Sequence, residues 1–163
     1  MKKNLSALLM VIGLATSCFK EYDYTFDQAG LVEFEDAVRN APAPGAAFPI
    51  IGVPRTQGVR NLQVNLVGRP LPSPEILSIS VDTAVSAFLS PTIIRAVEGT
   101  HFRLNEREII LKADTNFTVC PFTILNPGVV AGRQALVVLR LEGGPTVLPS
   151  ENYRRVGFRI DLR

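Results

Sequence analysis

The chain of 163 residues contains no tryptophan, one histidine and two cysteines. Each shortage excludes something. One histidine, His101, cannot make a metal-binding histidine pair, and no Gly-x-Ser-x-Gly elbow or phosphate-binding glycine loop accompanies it. Lack of tryptophan and of a cysteine pair across sheets excludes an antibody-type domain. No apolar run approaches the ~20 residues that span a bilayer. Charge of one sign is missing too. The formal net charge is +2. Lys2 and Lys3 account for that surplus, so residues 18–163 are formally neutral. Composition therefore gives no reason to expect a nucleic-acid partner.

What is present begins with an address. Met1-Lys2-Lys3-Asn4 is a positive opening, and Leu5 to Ala15 is an apolar run of signal-peptide length. It ends at Leu14-Ala15-Thr16-Ser17-Cys18, small residues before a cysteine, a pattern that resembles the lipobox of bacterial lipoproteins. Residues 1–17 are expected to be a leader. Cys18 is expected to be lipidated, with palmitate among its acyl groups, and residues 18–29 to form a tether. The tether opens Phe19-Lys20-Glu21-Tyr22-Asp23-Tyr24. That acid-containing stretch resembles the export signals of Bacteroidetes lipoproteins, and the resemblance implies an expected location at the outer membrane, facing the cell surface. With lipid on Cys18, Cys120 has no disulfide partner, and its apolar surroundings read as those of a buried small hydrophobe.

Residues 30–163 are expected to form one all-β domain. Asn61 to Val67 alternates, with Leu62, Val64 and Leu66 inward and Gln63 and Asn65 outward. Leu77, Ile79 and Val81 share one face, and Phe158, Ile160 and Leu162 alternate with Arg159 and Asp161. Further strands are expected at 31–38, 108–112, 117–125 and 134–141, with a short edge strand at Ile50, Ile51 and Val53. Residues 83–89 read as one or two helical turns. Twelve glycines and twelve prolines fall mostly between these segments. Strands of this length, punctuated this often, predict an immunoglobulin-like antiparallel β-sandwich of about seven or eight strands.

From Val81 to Leu162 the pieces follow a recognisable order: Asp82-Thr83-Ala84, then Glu98-Gly99-Thr100-His101-Phe102-Arg103-Leu104, the strand from Glu108, the turn Asp114-Thr115-Asn116, the strand before Asn126-Pro127, and Leu136 to Leu141. This resembles the Calx-β-like, immunoglobulin-like domain of unknown function at the front of many Bacteroidetes surface lipoproteins. The resemblance implies a β-sandwich. It also implies company: members often continue into a carbohydrate-related module, and Calx-β relatives include calcium binders.

The chemistry is sparse. Phe102 and Leu104 are expected on one face, with His101 and Arg103 on the outward one, so His101 is a poor general base. Glu33, Glu35 and Asp36, and Glu106 with Glu108, read as solvated strand faces rather than a hydrolytic pair. Asp82, Glu98 and Asp114 are too scattered for a calcium loop. The expectation is therefore no catalytic residue, no cofactor and no metal. For a glycan, the exposed-aromatic candidates are Tyr22, Tyr24 and Tyr153. Asp82-Thr83-Ala84 resembles the Bacteroidetes O-glycosylation pattern, which makes Thr83 a modification candidate. Asn116-Phe117-Thr118 has the N-glycosylation form. The expected protein is a non-catalytic binding or accessory lipoprotein, held to the membrane through Cys18, with a glycan or envelope-protein partner in uptake or adhesion. The alternative is a structural spacer of the envelope.

Overall fold

The computed structural model describes residues 30–163. The leader, Cys18, Tyr22 and Tyr24 lie outside the described residues. Eleven strands form two sheets. One sheet contains β1 (Leu31–Phe34), β3 (Gly58–Val67), β6 (Phe102–Leu104), β8 (Phe117–Ile124) and β10 (Leu148–Pro149), in the order β10-β1-β3-β8-β6. The other contains β2 (Ile50–Pro54), β4 (Glu75–Val81), β7 (Glu108–Leu111), β9 (Gln134–Gly143) and β11 (Arg155–Asp161), in the order β2-β11-β9-β4-β7. A sixth strand, β5 (Ile93–Arg95), pairs with the first residues of β9.

The all-β sandwich is thus present, with more strands than the alternation shows. β5 has three residues and β10 two, too few to display a period. Nor is the pairing wholly antiparallel. β1 with β10, β2 with β11 and β5 with β9 run parallel; β10 and β2 lie at sheet edges, and β5 adds to the interior strand β9.

The expected strand over 31–38 ends at Phe34, and α1 (Glu35–Arg39) takes its place. Glu35 and Asp36 sit in its first turn and Arg39 in its last, the arrangement that complements a helix dipole. Glu35 and Arg39 pair four residues apart. Ala37 turns into the core, while Val38, expected inward, is 44% exposed.

Between the sheets Leu62, Val64, Leu77 and Ile79 are buried on the faces the alternation assigns, and Leu139 and Leu141 join them. Phe122 lies 5.7 Å from Phe102 and 5.1 Å from Phe158, centroid to centroid. This phenylalanine row fills the centre of a sandwich whose described residues contain no disulfide. Cys120 is fully buried beside it, and burial raises its thiol pKa to about 11, helped by the charge of Glu106. A thiol held so high is not a nucleophile.

β9 departs from alternation: every residue from Ala135 to Leu139 is buried. A strand buried on both faces reads as a continuous apolar run. Leu136 and Val138 point away from the main core and join Phe48 and Val85 in a second, smaller one. The loop before β2 and the 3₁₀ helix Thr83–Phe88 cover them.

Candidate functional site

The outer face of the five-stranded sheet is built by β3 and β8. Antiparallel pairing sets Asn65 opposite Phe117, Gln63 opposite Val119 and Asn61 opposite Pro121, all on the phase away from the core. Phe117 is 54% exposed and Val119 39%. β1 adds Glu33 beside Asn65, and Leu31 beside Val67 and Leu148. The result is a row of amides bordered by apolar side chains.

The amides are ordered by one another. Gln63 Nε2 donates to Asn65 Oδ1 at 2.8 Å. Asn65 Nδ2 donates to the Glu35 carboxylate, which also accepts from Arg39 Nε. The hydrogen bond from Asn65, and then that from Arg39, hold the Glu35 carboxyl below the usual carboxylate range. Glu33 moves the other way, raised by burial and by the neighbouring charge of Glu35. Glu35 can reach the sheet because α1 is held by the buried Ala37 and by the pairing of Asp36 with Arg60 of β3. Arg60 Nη2 meets Asp36 Oδ1 at 2.8 Å and Oδ2 at 2.9 Å, and its guanidinium lies 5.5 Å from the Phe158 ring centroid.

Such a row offers donors and acceptors side by side, because each amide carries both. A sugar hydroxyl also carries both. The C–H face of a sugar ring finds an apolar partner in an exposed phenyl ring such as Phe117.

The residues singled out in the sequence are dispersed. Tyr153 lies in the turn before β11, 40% exposed, and its carbonyl accepts from the Phe34 amide at 3.1 Å. Thr83 is exposed at the start of the 3₁₀ helix, and its carbonyl accepts from Arg95. The preceding Asp82 is buried, with Arg155 Nε 2.7 Å away. His101 corrects the outward placement: it is only 7% exposed and lies in the turn before β6. Gly99 takes a φ of 82°, which tightens that turn and brings Val97 N within 3.0 Å of His101 Nδ1. Burial pushes the imidazole pKa down. Glu98 pairs with Arg107 at 2.6 Å, and Asp114 sits in a separate turn at a φ of 55°. Among the described residues no three His, Cys, Asp or Glu side chains converge on one point.

Phe117 is the aromatic that a search restricted to tyrosine and tryptophan passes over. Its signal was available: it lies on the phase opposite Cys120 and Phe122.

No protein family and no curated protein matches the chain. Solved structures do. A two-domain protein of unknown function from Bacteroides fragilis superposes with a TM-score of 0.59 at 11% identity, over 83% of this chain and 46% of that one. A proposed carbohydrate-binding protein from Bacteroides ovatus gives 0.55 at 10%, over 81% of this chain and 37% of that one. The apo Calx CBD1 domain gives 0.55 at 14%, over 82% of this chain and 97% of that domain. The chain thus spans less than half of the two Bacteroides proteins and matches nearly all of the Calx domain. The fold is that of a Calx-β-like sandwich, as the order of its motifs implies. At these identities the likeness shows the fold alone.

Proposed function

We propose that the chain is a non-catalytic glycan-binding domain, lipid-anchored through Cys18 at the outer membrane and facing outward. The observation that carries the glycan reading is the hydrogen-bonded amide row of Gln63 and Asn65 beside the exposed ring of Phe117. The carbohydrate-binding description of the Bacteroides ovatus protein supports it. The lipobox-like Leu14 to Cys18 and the acidic stretch behind it support the anchor. Tyr153, half-exposed after the edge strand β10, is an outlying contact in this reading. Thr83, exposed behind a buried acid, is its modification site.

The test is a glycan array probed with residues 18–163 carrying Cys18→Ser. Binding is expected, with at least a tenfold loss in Phe117→Ala and a lesser one in Tyr153→Ala, a tenfold loss being about 1.4 kcal/mol. Silence across glycans from a folded domain sinks the glycan reading and leaves the spacer. The anchor is tested separately: palmitate label lost in Cys18→Ala, and protease access on intact cells. Intact mass of the native chain against Thr83→Ala reads the modification.

A further inference from the structure

The opposite exterior face holds a cavity of different chemistry. Residues 41–44 read Ala-Pro-Ala-Pro and form one wall of a half-open cavity of about 520 Å³. Prolines fix the backbone of that wall, and Ala43 N donates to Phe48 O at 3.0 Å, Ala46 N to Ala43 O at 2.9 Å. Phe48 anchors the loop by an edge contact with Phe88, 5.6 Å between centroids. Phe88 and Ile93 line the facing side, and Leu136 and Ile50 come from the sheet below. The loop is therefore a built wall, seated on the second core.

One charge borders this apolar space. Arg159 stands on the outward phase of β11, opposite Gly52 of β2, and is exposed. Gly52 has open space where a Cβ would stand. Arg159 makes no ion pair among the described residues. The nearby acid on its strand, Asp161, is engaged by Arg163 at 2.9 Å, which draws the Asp161 carboxyl down to about 2. Arg159 also borders a smaller depression of about 300 Å³, into which Gln134 and Asp161 face.

We propose that this groove binds a small amphipathic carboxylate, its apolar body between the Ala-Pro loop and Ile93 and its head on the Arg159 guanidinium. Three observations select that chemistry. The cavity falls in the ~300–1,000 Å³ range of small-molecule sites. Its lining is alanine, proline, phenylalanine, isoleucine and leucine, which favours an apolar body. Its bordering cation is a guanidinium, whose planar fork matches a carboxylate in two parallel hydrogen bonds. Arg159 lines both depressions, and Gln134 of the smaller one carries an amide on that side of the guanidinium.

The test uses residues 18–163 with Cys18→Ser, ¹⁵N-labelled and titrated with dodecanoate below its micelle concentration. Amide shifts are expected at Ala41, Ala43, Ile93, Leu136 and Arg159, the prolines between the alanines having no amide proton. Affinity is expected to fall about tenfold in Arg159→Gln and to return in part in Arg159→Lys, since one charge-assisted pair is worth that much. Dodecanol is expected to bind the unsubstituted domain as weakly as dodecanoate binds Arg159→Gln. Ala43→Leu, which fills the groove from an exposed loop, is expected to remove binding of both, with the thermal midpoint unchanged. Acetate alone is expected to leave the spectrum unmoved. Shifts away from this groove, equal affinity in Arg159→Gln, or shifts with acetate as large as with dodecanoate would each overturn the proposal.

Discussion

The two exterior faces of the sandwich solve the same problem in opposite ways. On the five-stranded sheet, β3 alternates through its centre, and its outward Gln63 and Asn65 are amides that bond to each other and, through Asn65, to Glu35. On the six-stranded sheet, β9 does not alternate, and its outward Leu136 and Val138 are covered by Phe48 and Val85. A face that is covered must be apolar, and a face that is open must satisfy itself with polar groups. The comparison teaches where a ligand meets preformed chemistry. The open face offers hydrogen bonds to something hydroxylated, and the covered face offers an apolar space at the margin of its cover.

The largest expected difference between the faces comes from their phenylalanines. Phe48→Ala removes the anchor of the covering loop and is expected to cost about 3 kcal/mol by denaturant melt, the usual scale for a buried ring. Phe117→Ala on the open face is expected to stay within about 0.5 kcal/mol, as surface substitutions do. Equal costs would mean that Phe117 is part of a core. A second pair sharpens the same contrast. Val138 is 1% exposed and Val119 39%, both on outward phases. Val138→Asn is expected to cost about 2 kcal/mol and Val119→Asn to be near neutral.

A smaller effect concerns how the open face is held. Asp36→Ala leaves Arg60 without its bidentate acceptor and loosens α1, which presents Glu35 to Asn65. The pair is partly exposed, so the expected loss is about 1 kcal/mol. Side-chain amide signals of Asn65 should broaden in that variant while the groove on the other face keeps its signals.

The smallest effect is a pH slope. Burial holds the folded His101 pKa below its ordinary 6.5. The unfolded chain therefore takes up the proton first, and the stability present above pH 6.5 declines as pH falls through that value toward the folded pKa. His101 is the sole histidine, so this window is clear of other imidazoles. The raised Glu33 and the lowered Glu35 act at lower pH, in the carboxylate range. His101→Asn retains an acceptor for the Val97 amide and is expected to flatten the slope between pH 7 and 5 in a chemical-denaturation series.

The inner core was legible where burial alternates: Leu62, Val64 and Leu66 in β3, Leu77 and Ile79 in β4, and Phe158, Ile160 and Leu162 at the end of the chain. β5 and β10 were not, since two or three residues carry no period. α1 hides behind Val32 and Phe34, whose alternation fits a strand and runs on through Val38, although Glu35 and Asp36 followed by Arg39 mark a helical turn. His101 was misplaced because alternation was extended into a turn that Gly99 closes. Gln63 and Asn65 were correctly read as outward. Their hydrogen bonds to each other and to Glu35 depend on the position of α1, which no strand pattern supplies. The groove was invisible for the same reason: Ala-Pro-Ala-Pro reads as an extended loop, and only its fold back over β9 makes it a wall.

The most direct test of the central claim, that the amide row of the open face is the glycan contact, follows the side-chain amide signals of Asn61, Gln63 and Asn65. The domain is titrated with a glycan that scores on the array. The Gln63 and Asn65 amides and the Phe117 ring are expected to shift together, with one saturation curve, and Phe117→Ala to remove the response. Saturable binding that leaves these amides still, or that survives Phe117→Ala unchanged, would contradict it.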